Sequence, residues 1–121
     1  MGISASTNPK AYHYEKPVIV LTDAGCFSAT DNFLGALKGE FHITLLGTTS
    51  GGGSGRMAEY TLPATRIPLT LCQMASFRAN GDLFDGHGVA PDVVVETKPE
   101  DHLASGADSI LAAALARLKS L

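Results

Sequence analysis

The sequence predicts an α/β domain with a mixed sheet, one helix directly after a tight turn and a second helix at the C-terminal end. Residues 17–21 are Pro-Val-Ile-Val-Leu, a β-branched and aliphatic run typical of a strand that is buried on both faces. Phe33, Leu34 and Leu37 then recur at helical spacing, and residues 41–46 alternate as a second strand. A strand, a helix and a strand in this order predict a parallel pair with a right-handed crossover.

The composition supports one domain and limits its partners. The chain has 121 residues, of which 45% are hydrophobic, and this is enough for one modest core. Its formal net charge is −3 and its Lys and Arg residues do not cluster, so we expect no nucleic-acid partner. We also expect no cofactor and no metal site. We divide the chain into a polar lead, residues 1–16, expected to be poorly ordered, and a folded part, residues 17–121.

Ser28 lies where the first strand turns into the first helix. The first turn of a helix presents unpaired N–H groups and the positive end of the dipole, so a hydroxyl there lies beside a site for a developing oxyanion. The same residues also fit a capping box, in which Ser28 caps the helix and Asp31 reaches back to it. The pattern alone favours the capping box and leaves both interpretations open.

A glycine-rich loop, residues 47–56, follows the second strand. Residues 47–54 match a phosphate-binding loop except that Gly53 stands in place of the lysine. The residues after the loop alternate like a strand and do not open a helix, which argues against nucleotide binding.

The second half of the chain alternates strand-like runs with turns. Residues 65–72 and residues 73–77 are both predicted as strands, and residues 93–96 as a further one. Asp92 is expected to fix the turn before this last strand by hydrogen-bonding to the backbone. Residues 109–121 carry an apolar stripe at helical spacing, which serves either for packing or for binding a partner.

Two segments resemble the tail-specific, or carboxyl-terminal processing, serine peptidases. Residues 25–37, Gly-Cys-Phe-Ser-Ala-Thr-Asp-Asn-Phe-Leu-Gly-Ala-Leu, are similar to the nucleophile segment of that family, and residues 83–93 are similar to its Gly-Val-x-Pro-Asp segment. The two segments occur in the family's order. The resemblance implies a ClpP/crotonase-like spiral fold, of which residues 17–121 form the C-terminal part of the catalytic domain.

The resemblance implies amide hydrolysis through an acyl-enzyme, with Ser28 as the nucleophile and the backbone N–H of Ala29 as one oxyanion donor. A glycine from the missing part of the domain would supply the second donor. In tail-specific peptidases the general base is a lysine of the loop after the second strand, and that position is Gly53 here. Because a serine hydroxyl without a base is a weak nucleophile, we expect little or no peptidase activity from the isolated chain.

Further candidate roles also come from the resemblance. Tricorn-type relatives use a Ser/His pair that is assisted by an acidic residue before the Gly-Val-x-Pro-Asp segment, and Asp85 is the nearest match. His87 is close to Asp85 in sequence and could pair with it to face Ser28, or it could be a surface-loop histidine. The substrate cleft would be bordered by the bare backbone of three glycines, Gly51, Gly52 and Gly53.

The implied partners are a peptide or protein substrate and the N-terminal part of the catalytic domain, and a homo-oligomer is a further expectation. The resemblance places the protein in the periplasm, outside the cell or at a membrane. The alternative is a non-catalytic binding or scaffolding module of the same fold, which carries an apolar ligand or a peptide. Absence of the family lysine at Gly53 fits that alternative.

Overall fold

A three-stranded parallel sheet forms the centre of the computed structural model, which describes residues 14–103 and 106–121. Its strands are β1 (Val18–Thr22), β2 (Ile43–Gly47) and β5 (Val93–Val94), in the order β1-β2-β5. β1 and β2 run parallel in the register Val18 to Ile43, so the predicted parallel pair is confirmed. β1 and β2 therefore end side by side. The turn that carries Ser28 follows β1, and the glycine-rich loop follows β2.

The two helices cover opposite faces of this sheet. Helix α1 (Ala29–Leu37) connects β1 to β2, and helix α2 (Ser109–Leu118) follows β5. Leu45 of β2 packs in one buried cluster with Leu34 of α1, whereas the next residue, Leu46, packs in a second cluster with Ile110 of α2. Successive side chains of a strand point to opposite faces. The pair Leu45 and Leu46 thus explains why this strand is apolar on both sides.

Glycines define the packing and the end of α1. A Cβ on Gly35 would lie 2.9 Å from the ring of Phe84, so the absence of a side chain lets that buried ring approach the helix. Gly39 has φ of 95°, a left-handed conformation that suits glycine after a helix. Gly39 thus follows the C-cap residue Lys38 and ends the helix.

A two-stranded antiparallel sheet is separate from the parallel one. It consists of β3 (Met57–Thr61) and β4 (Pro68–Cys72), paired in the register Met57 to Cys72. The parallel and antiparallel pairings therefore belong to two sheets. The side chains of Met57 and Leu71 are 68% and 55% exposed, so this hairpin buries little apolar surface against the described part of the chain.

Some predicted elements differ from those observed. Residues 73–77 form no strand and contribute only an isolated bridge between Phe77 and Leu83, because the Ser76 carbonyl accepts from the Phe84 and Asp85 N–H groups in a turning segment. The polar connection after β5 contains a short 3-10 helix, Pro99–His102. Residues 1–13 of the predicted polar lead lie outside the described residues. In the described part, neither helix has the length and apolar character required to cross a membrane.

We expect replacement of Leu45 by alanine to lower the free energy of unfolding by about 2–5 kcal/mol, because the side chain is fully buried and its removal leaves a cavity. Urea denaturation followed by circular dichroism measures this change. Leu71→Ala is the matched control, since Leu71 is 55% exposed and its loss should change stability by about 0.5 kcal/mol or less. Equal effects of the two substitutions would contradict the burial described here.

Candidate active site

Ser28 occupies a strained backbone conformation at the start of α1. Its φ and ψ are 60° and −116°, and its side chain makes no capping hydrogen bond. The turn that produces this conformation is tight, with the Cys26 N–H donating to the Asp23 carbonyl at 3.0 Å and the Thr30 N–H to the Phe27 carbonyl at 3.1 Å. A positive φ at a residue other than glycine costs energy and is found where a surrounding structure enforces it, as at nucleophile turns between a strand and a helix.

The Ser28 hydroxyl is therefore presented to solvent and does not cap the helix. Residue 28 is exposed, and the capping-box interpretation is wrong at both ends, because the Asp31 side chain bonds to a different segment. Within residues 14–103 and 106–121, Ser28 Oγ has no hydrogen-bond partner. The hydroxyl is left available to react with a ligand.

The first N–H groups of α1 lie next to this hydroxyl. Among the described residues, no acceptor bonds to the Ala29 N–H, whereas the Ser28 carbonyl accepts from both the backbone N–H and the side-chain amide of Asn32, each at 3.3 Å. An unpaired N–H at the positive end of a helix stabilises negative charge that develops beside it. The geometry thus places one unpaired N–H directly after the hydroxyl.

Asp31 is fully buried and ties the glycine-rich loop to α1. Its carboxylate accepts hydrogen bonds from Ser50 Oγ at 2.6 Å, the Gly52 N–H at 3.0 Å and the Gly53 N–H at 2.9 Å. Sequence reasoning missed this role and assigned Asp31 to the capping box. One signal was available, because residue 31 precedes Leu34 by three positions and so shares the buried face of the helix.

Asp85 fixes the other end of the same loop. Its carboxylate accepts from Ser54 Oγ at 2.9 Å and from the Gly55 N–H at 3.0 Å, and the Cys72 thiol lies 3.6 Å away. The Ser54 hydroxyl is the main cause that lowers the pKa of Asp85 below its ordinary value of 3.8, and the Cys72 and Gly55 donors act in the same direction against the opposing effect of burial. The loop is therefore held between two carboxylates.

Comparison with known proteins decides the family. The sequence profile of "Peptidase family S41" matches residues 3–95. The chain belongs to peptidase family S41. The carboxy-terminal-processing protease of Bartonella bacilliformis is 34% identical over 82 residues, which are 68% of this chain and 19% of that protein. The carboxy-terminal processing protease CtpB of Bacillus subtilis is 34% identical over 104 residues, 85% of this chain and 20% of that protein.

Solved structures confirm the predicted fold class. A putative peptidase from Parabacteroides merdae superposes with a TM-score of 0.78 at 29% identity, over 90% of this chain and 34% of that one. The tricorn protease superposes with a TM-score of 0.66 at 30% identity, over 86% of this chain and 10% of that one. The chain thus spans about a fifth of the length of the two carboxy-terminal processing proteases and a third of the Parabacteroides structure.

Among the described residues, no hydrogen bond joins the other candidate residues of this S41 segment to Ser28. His87 is exposed, and in the described part of the chain its imidazole makes no hydrogen bond to Asp85 or to Ser28. Asp85 instead bonds to the loop, as given above. Their catalytic roles stay predictions, and the observed contacts of Asp85 are those of a loop anchor.

The three glycines predicted to border a substrate cleft lie at the edge of this site, and their N–H groups are already used. The Gly51 N–H donates to the Cys26 carbonyl at 2.7 Å, and those of Gly52 and Gly53 donate to Asp31. A peptide that approached this loop would therefore not meet these donors. Gly52 is also buried, and its carbonyl accepts from the Gly86 N–H at 2.6 Å. No group of three metal-binding side chains occurs among the described residues.

Asp92 contacts the backbone as predicted, although its partner lies on the neighbouring strand. The carboxylate accepts from the Leu45 N–H of β2 at 2.8 Å and forms an ion pair with Lys38 at the end of α1. Asp92 therefore ties the Gly-Val-x-Pro-Asp segment to both the sheet and the first helix.

Replacing Asp31 by alanine should destabilise the fold by about 3–5 kcal/mol, because three donors in or near the core lose their acceptor at once. Urea denaturation measures the loss. Asp23→Ala serves as the control, since the exposed Asp23 carboxylate accepts one loop N–H, from Gly25 at 2.8 Å, and its removal should cost about 1 kcal/mol or less. A cost for Asp31→Ala as small as that of the control would show that the loop does not depend on this carboxylate.

The lowered pKa of Asp85 predicts an acid-dependent loss of stability. The interaction stabilises the folded state fully above the ordinary pKa of 3.8, and this contribution disappears as the pH falls through the lower pKa of the folded state. Urea midpoints measured between pH 6 and pH 2.5 should therefore fall more steeply for the wild type than for Asp85→Asn below about pH 4. Parallel curves for the two proteins would exclude this role for Asp85.

Proposed function

We propose that this segment supplies the nucleophile and one oxyanion donor of a serine peptidase, and that the complete protein cleaves peptide bonds through an acyl-enzyme. The observation that carries the proposal is the conformation of Ser28, an exposed serine with φ of 60° at the first turn of a helix. A residue is held in such a conformation where the surroundings require it. Membership in family S41 provides the reaction class.

Two groups of the turn take part in the proposed reaction. Ser28 Oγ attacks the carbonyl carbon of the scissile bond and passes its proton to a general base, while the Ala29 N–H stabilises the oxyanion of the tetrahedral intermediate. Collapse of the intermediate breaks the C–N bond, and the leaving amine takes up the proton. Water then hydrolyses the ester and restores the serine hydroxyl.

The general base and the second oxyanion donor are proposed to lie in the part of the S41 catalytic domain that this chain does not span. Two observations support this assignment. Ser28 Oγ has no hydrogen-bonded base within the described residues, and the position of the family lysine is Gly53. The chain also spans only about a fifth of the length of its two carboxy-terminal processing relatives.

The proposed partners and location follow from the same likeness. The substrate is a peptide or protein, and the N-terminal part of the catalytic domain covers apolar side chains that are exposed here, among them Met57, Tyr60 and Leu71. We place the complete protein in the periplasm, outside the cell or at a membrane.

One observation favours a second candidate function. With glycine at position 53, the loop carries no base, which also fits a binding or scaffolding module that has lost hydrolysis and retains a peptide or an apolar ligand. Assays of the complete protein separate the two: hydrolysis that is abolished by Ser28→Ala supports the peptidase, whereas ligand retention without hydrolysis supports the module.

Labelling with a fluorophosphonate tests the role of Ser28 in the isolated chain. We expect slow labelling that is confined to Ser28, because the hydroxyl lies beside an unpaired N–H but lacks a base, and its rate should rise with pH. Mass spectrometry identifies the labelled residue. Ser28→Ala should abolish the reaction, and Ser120→Ala, which removes another exposed serine, should leave it unchanged.

Two outcomes of this experiment would contradict the proposal. Labelling spread equally over Ser28 and Ser120 would show that the turn does not activate its hydroxyl. Rapid and complete labelling at neutral pH would show that the chain already contains a base, and the expected inactivity of the isolated chain would be wrong.

A further inference from the structure

The ring of Phe27 lies on the glycine-rich loop beside the nucleophile. A Cβ added to Gly53 would overlap three atoms of this ring, Cζ, Cε1 and Cε2, and these are its nearest neighbours. A Cβ on Gly51 would lie 2.7 Å from Cδ2 of the same ring. The part of the ring that touches the loop therefore requires bare backbone at both positions.

Backbone conformation does not explain the glycine at position 53. Gly52 has φ of 73°, a conformation that side chains rarely adopt, but Gly53 is not among the glycines with positive φ. Any residue could take its φ if space were available. The nearest obstacle to a side chain at Gly53 is thus one ring, and that ring belongs to the residue immediately before Ser28.

We infer that Phe27 is a positioning residue, whose ring fills the space that a side chain at position 53 would need and thereby excludes a base-bearing side chain from this loop. The Gly51 N–H donates to the Cys26 carbonyl at 2.7 Å, so the loop is also bonded to the turn just before Phe27. Ring and hydrogen bond together hold the turn in which Ser28 keeps a positive φ. A side chain at position 53 therefore requires a smaller residue at position 27.

The catalytic meaning of this pair rests on the proposed function. If Ser28 is a nucleophile, its proton must go to a group outside the loop, because the ring stands where the loop would carry a base. Although the ring is half-exposed, with 56% of the residue accessible, it is seated on the loop rather than free in solvent. An aromatic surface therefore lies next to the reacting hydroxyl in place of an ammonium group.

A double-mutant cycle tests the contact without any assay of activity. We expect Gly53→Ala to lower the urea midpoint in the wild type and to have little effect in Phe27→Ala, since the overlapping atoms are then absent. Gly55→Ala is the matched control. Its Cβ would overlap Cys72 Sγ and lie 2.6 Å from the Met74 carbonyl oxygen, so its cost should be the same with and without Phe27.

The cycle has two outcomes that overturn the inference. One is an equal cost of Gly53→Ala in the two backgrounds, and the other is no cost in the presence of Phe27, which would mean that the ring moves aside. For Gly51→Ala, we expect Phe27→Ala to remove only part of the loss in urea midpoint, because the added Cβ would also lie 2.9 Å from the Ala24 carbonyl oxygen.

Nuclear magnetic resonance provides a readout of the ring contact that a change in stability alone would not alter. The aromatic ring should shift the Hα resonances of Gly51 and Gly53. Phe27→Leu, which keeps apolar bulk, should abolish these shifts and leave the Hα resonances of Gly55 where they are in the wild type. Unchanged Gly53 shifts in Phe27→Leu would overturn the inference. Neither measurement depends on the reactivity of Ser28, so a failure of the proposed function and a failure of this packing are distinguishable.

Discussion

The carboxylate of Asp31 is the constraint on which the site depends. A buried charge is costly unless its lone pairs are satisfied, and here one hydroxyl and two backbone N–H groups satisfy them. All three donors come from the loop after β2. The hydrogen bonds that satisfy this one carboxylate therefore fix the position of the loop against α1. Ser50 extends this link, because its hydroxyl also accepts from the Val89 N–H at 2.8 Å.

The strained turn at Ser28 is stable because its neighbours are fixed in this way. Helix α1 begins at Ala29 and is held by Leu34 in the core and by Asp31 at the loop. The strand before the turn is paired along its whole length with β2. The few residues between these anchors have little freedom, and an unfavourable φ at one of them is a small cost compared with the packing that enforces it.

Local patterns were sufficient to predict the elements of the parallel sheet. The apolar runs of β1 and β2 and the helical spacing of α1 each arise from neighbours in sequence, and each was found close to its predicted position. Residues 73–77 have a similar strand-like composition, but the Ser76 carbonyl accepts from the Phe84 and Asp85 N–H groups in a turn, which a local pattern does not reveal. Asp31 was misassigned for the same reason, since its partners lie on a loop some twenty residues later in the chain.

The outer edge of β1 has a geometric consequence. Within the described residues, β1 pairs on one side only, with β2, and so its other side presents N–H and C=O groups to a further strand. The turn that carries Ser28 follows directly after this strand. A segment that joined the sheet there would be aligned by the backbone ladder itself, and its end would be delivered to the rim where the hydroxyl of Ser28 lies.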